Sequence, residues 1–361
     1  MRNLLCVGFI CLAFSAVSHE TLEGPYPLLV TPWTEQATMD VPVLVREAEY
    51  VEAAGVGGII WPSASEVEDL DEEGEYELGI RALARRFAEK GRPFSARLVA
   101  TCPGDSSASA LRRVKIVQKI ADETGARMGI LARPPADAAD QDDMLAHYRG
   151  VAQATTLPVI IQTFNGTSPQ PSVDVLVALA REFPRVYGYV KEESPGEQVN
   201  ARMEELVSHP EIKAVFSGWG GKGWVYQGSR IGTRGVITQR AAYAPLLAKV
   251  WKRLKVGKDA RDRELSDAFV KYLYMANLGD VYCEKGDDMM RGPHLYVLER
   301  LGIFKNRLTR VPYERSMWET VAGAFGAKIP RWSLEDYPMS DAMKKEVEAR
   351  MAYCGLLREG R

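Results

Sequence analysis

A lysine followed by two glutamates ends an apolar run in this 361-residue chain. The run covers residues 186–190, and Lys191, Glu192 and Glu193 come directly after it. A lysine that loses its hydration among apolar side chains is favoured in its neutral form, and a neutral amine forms a Schiff base with a carbonyl group. The alternative is an ion pair with Glu192 or Glu193, which keeps the lysine charged. These residues alone leave both interpretations open.

Strand alternation sorts the charged residues around this lysine. Successive side chains of a strand point to opposite faces, so Lys191 and Glu193 share one face and Glu192 lies on the other. Glu193 is therefore a candidate base beside the lysine, whereas Glu192 is placed to orient a neighbouring loop. Tyr187 and Tyr189 are the aromatic neighbours expected to exclude water from Lys191.

Eight short strand-like runs alternate with amphipathic helical patterns along the chain. The runs cover residues 26–32, 57–62, 94–101, 127–134, 157–164, 186–193, 213–219 and 235–238. This alternation predicts parallel strands joined by crossover helices. Eight units in about 230 residues favour an α/β fold of the closed (β/α)8 TIM barrel type over an open doubly wound sheet. No GxGxxG motif follows the first run, which argues against a dinucleotide-binding fold.

The active site of such a barrel lies at the C-terminal ends of its strands, where Lys191 stands on strand six. Other polar side chains at strand ends are expected to face the same pocket, namely Thr31, Ser63, Ser65, Glu66, Thr101, Arg133, Gln162, Thr163, Ser217 and Thr238. Ser63 and Ser65 carry hydroxyl and amide groups that can bind a small carboxylate, and the alternative is loop and helix capping. Thr31, Ser217 and Thr238 are predicted as further substrate contacts.

A glycine-rich segment, residues 217–228, follows strand seven. It is interpreted either as a flexible loop over the pocket or as a close approach of the backbone to a ligand. Lys222 within it either meets an anionic substrate or points into water.

The chain divides into three predicted parts. Residues 1–19 resemble an export signal, with Arg2 before an apolar run and small residues at its end. The alternative is a start codon assigned too far upstream, or an apolar N-terminal helix. If the export signal is real, we expect a periplasmic or extracellular protein; otherwise we expect a cytoplasmic one. Residues 22–257 form the barrel, and residues 258–361 form a C-terminal extension that reads as wholly helical.

Composition excludes several classes of partner and cofactor. A net charge of −2 gives no reason to expect nucleic acid as a partner, or a membrane once the signal is removed. The five cysteines include no CxxC pair, and Cys102, Cys283 and Cys354 lie far apart outside the signal. With only four histidines and no HExxH motif, neither a metal site nor a disulfide framework is predicted.

Six segments in register resemble the dihydrodipicolinate synthase and N-acetylneuraminate lyase superfamily of class I aldolases. They read LLVTPW, GVGGIIWPSASEVEDL, LPVIIQTF, YGYVKEESP, FSG and GVIT, and the resemblance covers roughly residues 22 to 300. It implies that Lys191 forms the Schiff base with C2 of pyruvate or another 2-keto acid, without a separate cofactor. It also implies extra C-terminal helices and a homo-oligomer, often a tetramer.

Three departures from the family pattern bear on the substrate. The Gly-Thr-Thr-Gly-Glu loop that holds the keto-acid carboxylate in the family reads Pro-Ser-Ala-Ser-Glu at residues 62–66. The proton-relaying tyrosine of strand five is replaced by Gln162, which cannot act as an acid or base but can form hydrogen bonds. No tyrosine follows strand four, where the chain reads RPPADAAD. These departures argue against dihydrodipicolinate synthesis and against sialic acid cleavage.

Gln162 together with the Lys-x-Glu-Ser-Pro sequence at Lys191 is similar to the branch of the superfamily that dehydrates 2-keto-3-deoxy sugar acids. We therefore predict a Schiff-base lyase, either an aldolase or a dehydratase, that acts on a small 2-keto acid. Lys191, Glu193 and Gln162 are the predicted catalytic residues. The alternative is a degenerate member that binds a sugar acid or an oxo-acid without turnover.

Overall fold

The computed structural model describes residues 21–357 apart from 68–69, 71, 90–95, 105, 164–168, 197, 283–291, 315–316, 318 and 320–330. The predicted export signal lies outside the described residues. No helix among the described residues has both the length and the apolar character that crossing a membrane requires.

Eight parallel strands form one sheet in the order β1-β8-β7-β6-β5-β4-β3-β2. They are β1 Gly24–Pro27, β2 Gly58–Trp61, β3 Arg97–Cys102, β4 Met128–Ala132, β5 Val159–Gln162, β6 Tyr189–Glu192, β7 Ala214–Ser217 and β8 Gly235–Thr238. The sheet closes on itself because Leu28 and Ile60 form a parallel bridge, in which Leu29 N donates to Ile60 O at 2.9 Å. The predicted (β/α)8 barrel is confirmed.

Helices surround this barrel and pack on it. They are α1 Val41–Ala53, α2 Glu77–Ala88, α3 Ser107–Thr124, α4 Gln141–Ala154, α5 Val173–Glu182 and α6 Gln198–Ser208, followed by a single turn, α7 Trp224–Tyr226, and by α8 Ala244–Leu254. Several helices begin at a side-chain cap, such as Ser106 before α3 and Ser172 before α5. Gly125 ends α3 in the left-handed conformation, with φ of +68°.

Two apolar layers separate the inside of the barrel from its outer face. Every strand contributes to a buried inner cluster: Leu22, Tyr26, Leu28, Ile60, Val99, Leu131, Ile160, Tyr189, Ala214, Phe216 and Ile237. The alternate residues of the strands, such as Ile161, Val190 and Val215, pack outward against the helices. This alternation decides which polar residues at the strand ends face the pocket.

The fold departs from regular alternation after β7, and it differs from the sequence prediction in the C-terminal extension. No regular helix follows β7; the chain forms short turns, including the 3-10 turn Trp219–Gly221, before it enters β8. The extension contains α9 Arg263–Tyr282, α10 Pro293–Arg300 and α11 Asp341–Cys354, but also an antiparallel pair, β9 Leu308–Pro312 and β10 Trp332–Asp336. The prediction of a wholly helical extension was therefore wrong. Each strand has only five residues, and its pairing partners lie 20 to 28 residues away along the chain, so local periodicity did not reveal the pair.

Candidate active site

Two neighbouring strands place Gln162 beside Lys191. The two residues are register partners across β5 and β6. Two positions earlier on each strand, Ile160 and Tyr189 belong to the inner cluster. Because side chains alternate along a strand, Gln162 and Lys191 also face the inside of the barrel, directly above the apolar layer. Both are buried, with 7% and 6% of their surface exposed.

Lys191 pairs with a carboxylate inside the barrel. Its Nζ atom lies 3.0 Å from Glu193 Oε2, and Gln162 Nε2 donates to the same oxygen at 2.6 Å. The sequence left open whether Lys191 forms an ion pair, and the structure shows that it does, with Glu193 as the partner. Lys191, Glu193 and Gln162 thus form one hydrogen-bonded group at the C-terminal end of the strands.

The turn after β7 holds the other oxygen of Glu193. Trp219 N donates to Glu193 Oε1 at 3.1 Å. The backbone approaches so closely that a Cβ atom on Gly218 would lie 2.0 Å from Glu193 Cγ. Trp219 itself has φ of +50°, a left-handed conformation that is uncommon for a bulky residue, and its indole donates to Ser194 O at 3.1 Å. The glycine-rich segment therefore approaches the catalytic carboxylate candidate, which the sequence interpretation did not specify.

Glu192 lies on the opposite face of β6, as strand alternation predicts. Its side chain is fully buried and accepts hydrogen bonds from Ser194 N at 2.7 Å and Thr163 Oγ1 at 3.3 Å. Arg202 Nε lies 3.4 Å from its second oxygen. Thr163 Oγ1 also accepts a hydrogen bond from Glu193 N at 2.9 Å. Glu192 and Thr163 therefore anchor the backbone that carries Glu193. Thr163 was predicted to face the pocket, but its side chain lies on the opposite face of the strand.

Three residues predicted as substrate contacts point away from Lys191. Ser217 and Thr238 directly follow the inward residues Phe216 and Ile237, so their side chains turn outward. Ser217 Oγ lies 3.4 Å from Thr233 Oγ1, and Thr238 Oγ1 lies 3.4 Å from Tyr272 OH on α9.

Thr31 is likewise turned outward, where its hydroxyl accepts a hydrogen bond from the Trp61 indole at 3.2 Å. The predictions for Ser217, Thr238 and Thr31 were wrong because they took a strand end as sufficient and did not apply the alternation. The same alternation separates the two tyrosines: Tyr189 lies inside the barrel, and Tyr187 packs in the outer layer.

The loop after β2 is organised around Glu66. Its two carboxylate oxygens accept hydrogen bonds from Thr31 N at 2.8 Å and from Ser63 N at 3.3 Å. Glu66 therefore links the segments that follow β1 and β2. Ser63 Oγ lies 3.1 Å from Ser65 Oγ. The Ser63 amide thus donates to a carboxylate of the protein itself. For this amide, the structure agrees with a role in organising the loop, which was the alternative to binding a substrate carboxylate.

Thr101 is a further inward residue at a strand end. It follows the inner residue Val99 by two positions on β3, it is fully buried, and its hydroxyl has no hydrogen-bond partner among the described residues. Arg133 follows Leu131 of the inner cluster in the same way at the end of β4 and is half-buried. In the described part of the chain, no group of His, Cys, Asp or Glu side chains is arranged to hold a metal ion.

Comparison with known proteins places this site in a family context. No family model matches the chain. A 4-hydroxy-tetrahydrodipicolinate synthase from Limosilactobacillus fermentum is 27% identical over 232 residues, which are 63% of this chain and 70% of the relative. The same-named protein of Chlorobaculum parvum is 24% identical over 343 residues, 94% of this chain and all of the relative. An uncharacterised DapA-like lyase of Thermococcus onnurineus is 27% identical over 72% of this chain and 83% of its own length.

Solved structures share the fold at lower identity. Dihydrodipicolinate synthase from Aquifex aeolicus has a TM-score of 0.68 and 19% identity, covering 94% of this chain and all of that structure. The enzyme of that name from Thermotoga maritima has a TM-score of 0.68 and 17% identity over the same shares. In sequence and in fold, the chain is therefore similar to dihydrodipicolinate synthases and DapA-like lyases.

Proposed function

We propose that this chain is a Schiff-base lyase that dehydrates a 2-keto-3-deoxy sugar acid through Lys191, with no cofactor beyond the lysine. The observation that carries the proposal is the contact of 3.0 Å between Lys191 Nζ and Glu193 Oε2 inside the barrel. It supplies a nucleophile and a base at hydrogen-bond distance, which is the arrangement that activates an amine for covalent catalysis.

The first step joins Lys191 to the substrate. Glu193 accepts a proton from the ammonium group, and the free amine adds to the C2 carbonyl carbon of the keto acid. Glu193 returns its proton to that carbonyl oxygen, which leaves as water, so that an iminium ion remains on Nζ and Glu193 is again a carboxylate. The iminium is an electron sink, so it makes the hydrogens on the neighbouring C3 atom acidic.

The second step favours dehydration over carbon–carbon cleavage. C3 is separated from Nζ by only one atom, so the carboxylate beside Nζ is well placed to take the C3 proton. The electron pair of the C3–H bond forms an enamine, which then expels the C4 hydroxyl group; that group gains a proton and leaves as water. Hydrolysis of the remaining iminium releases Lys191. Cleavage would require a base at the C4 hydroxyl, farther from Nζ than C3 is.

Gln162 has a positioning role in this proposal. Its amide donates to the oxygen of Glu193 that contacts Lys191, and an amide side chain neither gives nor takes protons in this pH range. It holds this carboxylate oxygen against Lys191 Nζ. The tyrosine that relays protons in related synthases is absent at this position, which supports a reaction in which Glu193 is the base.

Borohydride trapping tests the proposal. The protein is incubated with pyruvate or 2-keto-3-deoxyarabinonate, reduced, digested and analysed by mass spectrometry. We expect a keto-acid-dependent mass gain on the peptide that contains Lys191, and loss of one water from the sugar acid in the unreduced reaction. Lys191→Ala abolishes both, whereas Lys249→Ala, at an exposed lysine on α8, changes neither. A folded protein that gives no adduct supports instead a member that binds acids without turnover.

We also expect the chain to form a homo-oligomer, as the family resemblance implies. Analytical ultracentrifugation of the purified protein measures this directly. A monomer at micromolar concentration contradicts the expectation without affecting the assignment of Lys191.

A further inference from the structure

A cavity of about 210 Å³ lies at the N-terminal end of the barrel, at the opposite end from Lys191. Its walls are the segment that leads into β1, the loop between α1 and β2, the starts of β3 and β4, and the end of α8. Its volume corresponds to roughly seven water molecules at about 30 Å³ each, which is enough for a small metabolite. A TIM barrel carries its chemistry at the other end of the strands, so the proposed lyase reaction does not use this cavity.

Two arginines stand side by side in this cavity. Leu98 and Met128 are register partners on β3 and β4, and both belong to the outer layer. Because side chains alternate along a strand, the residues that precede them, Arg97 and Arg127, both face inward. Both arginines line the cavity, from neighbouring strands. Two like charges so placed repel each other, whereas an anion between them attracts both.

Positive charge predominates among the side chains of the cavity. Lys255 lines it beside the two arginines, and Glu23 is the one carboxylate among its described lining residues. Lys255 Nζ lies 2.8 Å from Glu23 Oε1, and Arg234 Nη1 lies 3.8 Å from the other oxygen of that carboxylate. The charge of Glu23 is therefore already balanced, and the described lining keeps an excess of positive charge at the two arginines.

The guanidinium of Arg97 is held in a defined position. Its Nη1 atom donates to Met128 O at 2.9 Å, and a Cβ atom on Gly129 would lie 3.5 Å from Arg97 Cδ, so the stem packs against β4. Burial raises the pKa of Tyr189, and the Arg97 charge partly offsets that rise, which places the guanidinium near the floor of the inner apolar cluster. A half-buried arginine whose side chain is already ordered loses less entropy when a ligand binds.

Aromatic side chains supply the apolar part of the wall. Tyr26 and Trp251 line the cavity, and Tyr26 is buried in the inner cluster. The Trp251 indole lies so close to β1 that a Cβ atom on Gly24 would be 2.9 Å from its Nε1 atom. The wall thus combines paired guanidinium donors with flat apolar faces, and this combination suits a small anion that carries a short carbon chain.

We propose that this cavity is a binding site for a small dianion, with Arg97 and Arg127 as its binding residues. The fork of donors on each guanidinium matches a carboxylate or a phosphate group and forms charge-assisted hydrogen bonds with it. A short dicarboxylate and inorganic phosphate share this chemistry. The site does not depend on the proposed function, because it contains none of the residues grouped around Lys191.

Isothermal titration of the full chain at low ionic strength tests the site with inorganic phosphate and with succinate. Neither ligand has a keto group, so neither forms a Schiff base at Lys191. We expect Arg97→Met and Arg127→Met each to raise the dissociation constant at least about tenfold, because charge-assisted hydrogen bonds are lost. Arg185→Met is the matched control and should leave the constant unaltered. Arg185 is exposed, precedes β6 at the same end of the barrel and does not line the cavity.

The ligand with the lower dissociation constant shows which class of dianion the site prefers, and a tenfold loss in either arginine variant supports the site. Binding of neither ligand to the wild type overturns the proposal, and so does binding that Arg97→Met and Arg127→Met both leave unchanged. Binding that is lost in Lys191→Ala places the dianion in the active site and also overturns it. If Arg97→Met does not fold, the exposed Arg127 still supplies the test. Arg97→Lys, which keeps the charge but loses the fork, is then expected to bind with intermediate affinity.

Discussion

Lys191 Nζ and Glu193 Oε2 lie 3.0 Å apart, and the two residues are separated by one residue, Glu192, along the chain. Strand alternation puts both side chains on the inner face, and the β5 partner Gln162 and the Trp219 amide hold the carboxylate against the amine. The pair is therefore built from one strand, and the adjoining elements fix its geometry.

The role of Glu193 as a base is tested by Glu193→Gln. The amide keeps the size of the side chain but cannot accept a proton, so we expect kcat to fall by about 10²–10⁴-fold. The adduct at Lys191 with pyruvate still forms but more slowly, because Lys191 makes the covalent bond itself and Glu193 only assists by taking the proton of the ammonium group. Steady-state kinetics and borohydride trapping measure the two effects separately. Glu204→Gln on the exposed face of α6 serves as the control. Equal losses of turnover and of trapping would show that Glu193 acts only in forming the adduct.

The close approach of the β7 turn predicts a large effect of one methyl group. In Gly218→Ala the new Cβ atom would meet Glu193 Cγ at 2.0 Å, so either the turn or the carboxylate must move. A displacement of about 1 Å at a catalytic group costs on the order of 10²-fold in rate, and we expect that loss in kcat.

Gly150→Ala is the matched control for that change. Gly150 lies within α4, where a Cβ atom would lie 3.5 Å from Leu111 Cδ1, an ordinary contact. We expect unchanged activity and a gain of roughly 0.5–1 kcal/mol in the free energy of unfolding, because alanine is favoured over glycine in a helix. Wild-type kcat in Gly218→Ala would show that the turn does not position Glu193.

The outward orientation of Ser217 and Thr238 predicts that neither contacts substrate. Ser217→Ala and Thr238→Val remove hydroxyl groups that meet Thr233 and Tyr272 outside the barrel. We expect KM for the keto acid to stay at the wild-type value in both variants, with any change confined to the melting temperature. A raised KM with unaltered thermal stability would mean that these hydroxyls reach the ligand.

Two buried histidines predict a loss of folding stability in acid. Burial lowers the pKa of His147 to about 4, partly offset by Asp137, and that of His294 to about 3. The unfolded chain binds these protons below about pH 6.5, whereas the folded chain does not, so the stability is present above that pH and is lost as the pH falls toward these folded values.

His147→Gln separates one contribution from the rest. From pH 7 to pH 5, the free energy of unfolding of the wild type should fall by about 2 kcal/mol more than that of the variant. Urea denaturation at the two pH values measures the difference. Parallel changes in the two proteins would show that His147 is not held neutral, despite its contact with Ser107 at 3.0 Å and its exposure of only 3%.

The sequence by itself determined the barrel and the orientation of the residues around Lys191. Both follow from local periodicity: an apolar run of alternating side chains specifies a strand, and the same period of two assigns Glu193 to the face of Lys191 and Glu192 to the other. The same period predicts that Ser217 and Thr238 point outward, because they directly follow the inward residues Phe216 and Ile237. The sequence interpretation applied this period around Lys191 but not at the other strand ends.

Only the tertiary structure decided which loops meet at the site. The contact of Trp219 with Glu193 and the hydrogen bonds of Glu66 to the amides of Thr31 and Ser63 each join residues from different strand ends. The same is true of the pairing of β9 with β10 in the extension. Closure of the barrel and packing of the extension set these distances, and no sequence period records them, because the residues that meet are separated along the chain by whole strands and helices.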